Sequence, residues 1–191
     1  MDKVKRCAWA NQSDIYKKYH DEEWGKPTHD DKKHFEMLVL ESAQAGLSWI
    51  TVLKKREAYR KAFKNYNVEK VAKMSNEELE EQLQNPGIIR NRLKVFATRN
   101  NAIVFLQIQK EFGSFDKYVW QFVGGKPIDS KRKSTDNALT STPESDSLSK
   151  DLKKRGMSFV GTTIIYAHMQ ATGLVNDHYM YCWRYNSNID K

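Results

Sequence analysis

The sequence predicts an all-α fold, and three observations carry that prediction. Apolar residues recur at helical spacing through most of the chain. Capping residues open these segments, and glycine or proline closes them. No stretch alternates apolar and polar residues with the period of two that marks a strand. A length of 191 residues suits one domain, spanning 1–191, with a substantial buried core.

The elements follow in order. Asp30 and Asp31 stand ahead of KKHFEMLVLESAQA, and Gly46 is placed to end that helix. Ser48 can cap a second helix, WITVLKKREAYRKAF, whose Ile50, Leu53 and Ala58 fall mainly on one side. Asn67 opens a short VEKVAKM helix, and Ser75 with Glu78 forms a capping-box pair ahead of EELEEQLQ. The Asn85-Pro86-Gly87 triplet breaks the pattern. A long helix is expected from Arg90 to about Phe112, carrying Leu93, Phe96, Ile103, Leu106 and Ile108, followed by a shorter one in SFDKYVWQFV. From Gly124 to about Ser147 the chain turns polar, which predicts a flexible surface loop rather than a domain linker. Helical pattern resumes in SLSKDLKKRG, halted by Gly156, and TTIIYAHMQATG reads as a buried helix ending at Gly173.

Hydrophobic residues make up 39% of the chain and charged residues 29%, the balance of a soluble globular protein. No apolar run is long enough to span a membrane, and MDKVKRCAWANQ lacks the apolar core of a secretory signal, so a cytoplasmic location without membrane contact is expected. The 32 basic residues exceed the 24 acidic ones, giving a net charge of +8 that suits a polyanionic partner. Two cysteines, Cys7 and Cys182, lie near opposite ends. They are compatible with a disulfide, with two free buried thiols, or with shared metal ligation. His178 stands four residues before Cys182, a spacing that lets both face one way on a helical turn.

Glu41 is the residue without a structural explanation. Met37, Leu38, Val39 and Leu40 precede it, so its helix is apolar nearly all round and therefore buried. It also lies in the last turns, where a carboxylate opposes the negative end of the helix dipole. Either it pairs with a nearby cation or reaches solvent, or it is a functional carboxylate. Trp9, Tyr16, Tyr19, Trp24 and Trp49 cluster around it in sequence. Aromatic faces stack on nucleobases and attract cations, so a carboxylate among them complements a flat, positively charged heterocycle; the same rings are also ordinary core material.

The blocks YHDEEWG, LESAQAGLSWITVLKKREAYRKAF, NPGIIRNRLK, LSKDLKKRGMSFVGTT and GLVNDHYMYC resemble, in that order, the type I 3-methyladenine DNA glycosylase family, over Cys7 to Cys182. The resemblance implies a helix-hairpin-helix glycosylase fold, with the base cavity between two helical parts. It gives Glu41 the amino edge of an extruded base, sets Tyr19 and Trp49 against the base faces, and puts Tyr16, Trp24 and Trp9 nearby. Leu47 of AGLSW becomes a wedge filling the gap left in the duplex. The hairpin becomes LKKRGMSFVGTT. In the wider superfamily that element reads leucine, proline, glycine, an apolar residue, glycine; Met157, Ser158, Phe159, Val160 and Gly161 stand here, and only the last glycine is kept. Backbone N–H groups at Gly161, Thr162 and Thr163 would hold a phosphate. Lys153, Lys154 and Arg155 would add sequence-independent charge.

Two absences shape the expected chemistry. Lyase-type members of the superfamily carry a lysine after that glycine, where Thr162 and Thr163 stand, which implies a monofunctional glycosylase. Most members also carry a catalytic aspartate where this chain has Asn176, with Asp177 beside it; the type I family lacks it too. A base methylated at N3 is cationic and already a good leaving group, so flipping, selection and stabilisation of the base suffice. The family's zinc ligands fall on Cys7, His20, His178 and Cys182, which implies a closed, structural Zn2+ tying the two ends of the chain together. His29, His34 and His168 have no such set. The expected partners are alkylated double-stranded DNA and free 3-methyladenine as product, with the protein a monomer. The rival readings are a nucleic-acid-binding module without chemistry and a zinc-stabilised interaction domain; a catalytic zinc is disfavoured by four filled positions.

Overall fold

The computed structural model of the chain describes residues 4–133 and 138–186. Residues 1–3 of the N-terminal stretch and 134–137 of the polar loop lie outside the described residues. The molecule is built mainly of helices. After a 3-10 turn at Ala8–Gln12 come α1 (Asp14–Glu22), α2 (Asp31–Gln44), α3 (Trp49–Lys54), α4 (Arg56–Ala62), α5 (Val68–Ala72), α6 (Asn76–Gln82), α7 (Arg92–Phe112), α8 (Phe115–Trp120), α9 (Pro143–Lys154), α10 (Thr162–Ala171) and α11 (Trp183–Asn186). No helix among the described residues is long and apolar enough to cross a membrane.

α2 is the central element. Every residue from His34 to Ala43 is buried, and α3, α4, α7, α8 and α10 all pack against it. Asp30 caps its start through the Lys32 N–H, as expected. Its C-terminal carbonyls are capped by a residue far away in sequence: Lys94 Nζ donates to Ala43 O at 2.9 Å and Ala45 O at 2.6 Å. Gly46, at φ +79°, then turns the chain. The capping box of Ser75 and Glu78 is present on α6.

Five expectations need correction. The WITVLKKREAYRKAF segment is two helices rather than one, broken at Lys55 (φ −97°, ψ 0°). Ser48 stands at the N-cap of α3, but its hydroxyl bonds Thr51 Oγ1 instead of a backbone N–H. On α7 the buried stripe runs through Val95, Ala102, Phe105 and Ile108, while Leu93 (71% exposed) and Ile103 (40%) face outward. α9 begins at Pro143 rather than near Ser147, because Thr142 and Ser145 form a reciprocal cap there. Finally, the polar loop contributes a strand, β1 (Ile128–Asp129), which pairs in parallel with β2 (Val175–Asn176). Two residues are too few for any alternation to register, so this pair was invisible to periodicity.

The α9–α10 connection explains the unusual hairpin sequence. Phe159, where the superfamily pattern has a glycine, adopts φ +56°, a left-handed conformation that costs a side chain about 1–2 kcal/mol. The surroundings fix it. Asn101 bonds both Ser158 O and Ser158 N at 2.9 Å, Ser42 Oγ donates to Phe159 O, and Ser149 Oγ donates to Val160 O.

Candidate active site

A cavity of about 380 Å³ opens between α1, α2, α3 and α10, and the predicted aromatic set lines it: Trp9, Tyr16, Tyr19, Trp24 and Trp49, with Glu41. The 3-10 turn brings Trp9, α1 brings Tyr16 and Tyr19, and α3 brings Trp49. Their rings interlock. Trp9 lies edge-on to Tyr16 (centroids 5.5 Å) and to Trp24 (5.1 Å), and Tyr19 tilts against Trp49 at 5.5 Å. Such contacts hold each ring in place before any ligand arrives.

Glu41 is best understood beside Glu36, which lies on the same helix and is equally buried. Glu36 receives Arg56 Nε and Arg60 Nη2 at 3.0 Å each and Lys33 at 3.2 Å. Against burial, which alone would raise it, these cations hold its carboxyl below the ordinary range. Glu41 is 3% exposed and, among the described residues, has no ion-pair partner and no hydrogen bond to its buried Oε2. Burial alone pushes its pKa from 4.5 up to about 8. Of the two explanations open for Glu41 in sequence, pairing and exposure are therefore both removed. Tyr19 Oη, Trp49 Nε1 and Arg132 Nε are likewise buried and unpartnered among the described residues, so four orphaned polar atoms belong to residues of one cavity.

Five further residues line the cavity: Gln12, Gln44, Arg132, Ala167 and Gln170. Gln44 follows Glu41 by three positions on α2, a spacing that could have nominated it. Arg132 lies in the segment expected to be a surface loop, and no local pattern marks it. Its neighbourhood is well tied: Arg132 Nη1 pairs with Asp177 Oδ2 at 2.7 Å, its carbonyl accepts from Met180 N, and its guanidinium covers the Tyr179 ring. Asp177, beside Asn176, is thus a saturated buried carboxylate rather than a free base; it also accepts from Ser130 Oγ and Gln170 Nε2.

Cys7, His20, His178 and Cys182 are all buried, and one ligand atom from each lies within 4.8 Å of the others. Cys7 Sγ is 3.6 Å from His178 Nδ1, and Cys182 Sγ is 3.4 Å from His20 Nε2 and 3.7 Å from His178 Nδ1. Each ring is oriented from behind: His20 Nδ1 by Asp21 Oδ1 at 2.8 Å, His178 Nε2 by Trp24 O at 3.2 Å. The Cys7 thiol is pushed far up by its contact with Cys182 and by burial, whereas Cys182 is held low by Cys7, His178 and His20. Desolvation keeps His178 neutral, the form that ligates. The donor set thus fits a metal ion that would let both sulfurs ionise. His178 and Cys182 meet through an irregular turn, not the helical turn their spacing suggested. His34 and His168 are buried core residues 3.4 Å apart, and His29 is an exposed residue bonded to Asp116.

The candidate DNA-contacting residues are only partly where they were expected. Leu47 is 41% exposed and lies in sequence between the lining residues Gln44 and Trp49. Gly161 caps α10 with an ordinary φ of −60°, and a Cβ there would meet nothing within 4 Å. Neither backbone strain nor internal packing requires a glycine at that position. Lys153 and Lys154 are exposed, and Lys153 lines an open groove with Gly161 and Phe159. Arg155 is a correction: it pairs with Glu111 and Asp151 and covers Phe112 and Tyr118, so its charge is spent internally. The Thr162 hydroxyl is also committed, to Asp146 and Ser145. Thr163 is exposed.

Fold and site together define the class: the chain belongs to the methyladenine glycosylase family, whose model matches residues 9–185. It is 50% identical over 185 residues to DNA-3-methyladenine glycosylase 1 of Escherichia coli (strain K12), covering 97% of this chain and 99% of that protein. Among solved structures, a crystal structure of 3-methyladenine DNA glycosylase I superposes with a TM-score of 0.91 at 52% identity, covering 94% of this chain and 98% of that one. The 3-methyladenine DNA glycosylase I of Staphylococcus aureus, whose structure concerns recognition of 3-methyladenine, gives 0.90 at 38% identity, covering 94% and 96%.

Proposed function

We propose that this protein hydrolyses the N-glycosidic bond of 3-methyladenine in alkylated double-stranded DNA, as a monomeric, single-domain, monofunctional glycosylase of the helix-hairpin-helix type. The observation that carries this reading is that Tyr19 Oη, Glu41 Oε2 and Trp49 Nε1, three of the four orphaned polar atoms of the cavity, are buried among its aromatic rings. A purine offers donors and acceptors on its edge and two faces for stacking, which meets both needs. A positive charge on the base favours the ionised form of Glu41, so carboxylate and cation stabilise each other out of water. Neutral adenine brings no such charge and leaves the carboxylate uncompensated.

The remaining roles follow from position. Tyr19 and Trp49 would face the base, with Tyr16, Trp24 and Trp9 completing the wall. Leu47 would fill the duplex gap. The N–H groups at the start of α10, around Gly161, Thr162 and Thr163, would hold a phosphate that approaches closely because no Cβ intervenes. Lys153 and Lys154 add charge there, whereas Arg155 is withdrawn from that role. Cys7, His20, His178 and Cys182 would hold Zn2+, which when bound would supply a closed structural cross-link between the two ends of the chain.

The test is incubation of the protein with methylated duplex DNA and chromatographic identification of the released base. 3-Methyladenine should appear well above spontaneous loss, with the strand left intact at the abasic site. No release above that background would overturn the reading, and strand cleavage would overturn its monofunctional part.

A further inference from the structure

Glu41 accounts for the departing base, but hydrolysis also needs a water placed on the sugar. Part of the cavity wall is formed by Ala167 and Gln170 of α10 together with Arg132. Of the three glutamines lining the cavity, Gln12, Gln44 and Gln170, only Gln170 has its side-chain amide fixed by another side chain among the described residues: Nε2 donates to Asp177 Oδ2 at 2.6 Å.

That bond determines which end of the amide is offered to the cavity. Asp177 Oδ2 also accepts from Arg132 Nη1, so the amide end that Gln170 turns to it is the donor, Nε2. The amide is planar and its two polar ends diverge, which leaves Oε1 as the end without a partner among the described residues. Asp177 is itself immobile. It is 2% exposed and is held from two further sides, by Ser130 Oγ at 2.7 Å and Arg132 Nη1 at 2.7 Å. Arg132 in turn lies over the Tyr179 ring at 4.8 Å. The chain of contacts from Tyr179 through Arg132 and Asp177 to Gln170 has no purpose in packing an apolar core. Its effect is to hold the amide of a cavity-lining residue in one orientation, with a neutral acceptor as its free end, before any reaction begins.

We infer that Gln170 is the catalytic residue that accepts a hydrogen bond from the attacking water through Oε1, and that Asp177, clamped by Arg132 and Ser130, is the positioning residue that fixes this orientation. The inference rests on the proposed glycosylase reading. In the step, the water oxygen forms a bond to the sugar C1′ and the C1′–N9 bond breaks. Its electron pair passes to the base and cancels the positive charge, giving neutral 3-methyladenine. The water's surplus proton passes to solvent through the open mouth of the cavity. Gln170 takes no proton, since an amide is too weak a base, and none is needed when the leaving group is already cationic.

The experiment compares wild type, Gln170→Met and Asp177→Asn under single turnover on methylated duplex DNA. Thermal stability and the affinity for free 3-methyladenine, read by tryptophan fluorescence, are followed in parallel. Gln170→Met keeps the bulk of the side chain and removes the acceptor; Asp177→Asn keeps its shape and releases the amide to flip. Excision should fall roughly 10- to 100-fold in Gln170→Met and less in Asp177→Asn, with base affinity within about twofold of wild type. The second readout is product partitioning in water–methanol mixtures, with the 1′-O-methyl product measured by mass spectrometry. Both variants should shift capture toward the bulk methanol ratio, because the water is no longer held. Wild-type excision by Gln170→Met, or slow excision with unchanged partitioning, would overturn the inference while leaving the glycosylase reading intact. A wild-type protein that released no 3-methyladenine would instead remove the reading beneath it. Should Gln170→Met fail to fold, the partitioning of Asp177→Asn decides alone.

Discussion

Replacing Glu41 with glutamine should make the protein more stable and less active at once. Burial pushes this carboxyl from 4.5 up to about 8, so the folded state holds a proton that the unfolded chain has already lost between those values. Stability therefore falls as pH rises through that window. The penalty is nil below about pH 4.5, grows above it, and is complete above pH 8. At about 1.4 kcal/mol per tenfold change in the proton equilibrium, the full penalty is about 5 kcal/mol, of which about 4 is present at pH 7.5. Glutamine keeps the shape and the buried polar atoms but cannot ionise. Some relaxation around the carboxylate is expected, so the net gain at pH 7.5 should be about 2–4 kcal/mol.

The assay is urea denaturation of wild type and Glu41→Gln at intervals from pH 5 to pH 9. Other groups titrate identically in the two proteins, so the difference between the curves isolates residue 41. It should be small near pH 5, rise steadily, and level off above pH 8. In parallel, single-turnover excision of 3-methyladenine should fall about 10- to 100-fold in the variant, the worth of a hydrogen bond to a charged group, while duplex affinity stays unchanged. A stability difference that is flat with pH would refute the account of Glu41 as an uncompensated buried carboxylate. Unchanged excision would show that the residue serves the fold alone.

Two further outcomes follow from neighbouring features. Arg56 bonds both Glu23 (2.7 and 2.8 Å) and Glu36 (3.0 Å), and Lys33 and Arg60 remain beside them, so Arg56→Ala should cost about 1–3 kcal/mol through the lost charged hydrogen bonds. Against burial, Arg56 and Lys33 hold Glu23 down at about 2, so this contribution is complete above pH 4.5 and lost as pH falls toward 2, the opposite sign to Glu41; acid denaturation of the two proteins checks it. Purified protein should carry one equivalent of zinc, and Cys182→Ser or chelation should lower Tm by roughly 10 °C, taking about 4 kcal/mol for an ion present at a thousand times its Kd. Elemental analysis with calorimetry reads both, and full stability without metal would contradict the site.

How much of this was legible in the sequence depended on whether the cause was local. α2 and its burial could be read because an unbroken apolar run fixes the environment of every residue in it, Glu41 included. The capping box on α6 is a contact between residues three apart, and it was equally readable. Arg132 was not, since its role depends on Asp177 and Tyr179, about 45 residues later in the chain and joined to it across a two-residue strand pair. Arg155 misled for the same reason: a basic run at a helix end reads as a surface feature until Glu111, from another helix, is seen to neutralise it. The break at Lys55 has a non-local setting too, because Lys55 Nζ caps Pro86 O and a Cβ on Gly87 would lie 2.7 Å from Ala58. The hairpin escaped its own pattern because Phe159 occupies a glycine conformation that Asn101, Ser42 and Ser149 enforce from outside.

The Cys and His cluster and the aromatic cavity are one construction. Trp24 belongs to both: its ring lines the cavity, stacks on His20 at 6.2 Å and meets His178 edge-on at 4.7 Å, and its carbonyl orients the His178 ring. Trp9 is two residues from Cys7 and packs on His20 at 5.4 Å, and Tyr19 directly precedes His20. Asp177, which fixes Gln170, directly precedes His178. The wall that would stack and cradle the base is therefore anchored on the four ligands, whereas Glu41 and Trp49 are anchored on α2 and α3. A cavity with four unsatisfied polar atoms tends to collapse onto them or to fill with water. Two independently braced walls resist that collapse. Loosening the cluster should accordingly weaken base affinity through the aromatic wall while leaving the Glu41 side of the cavity in place.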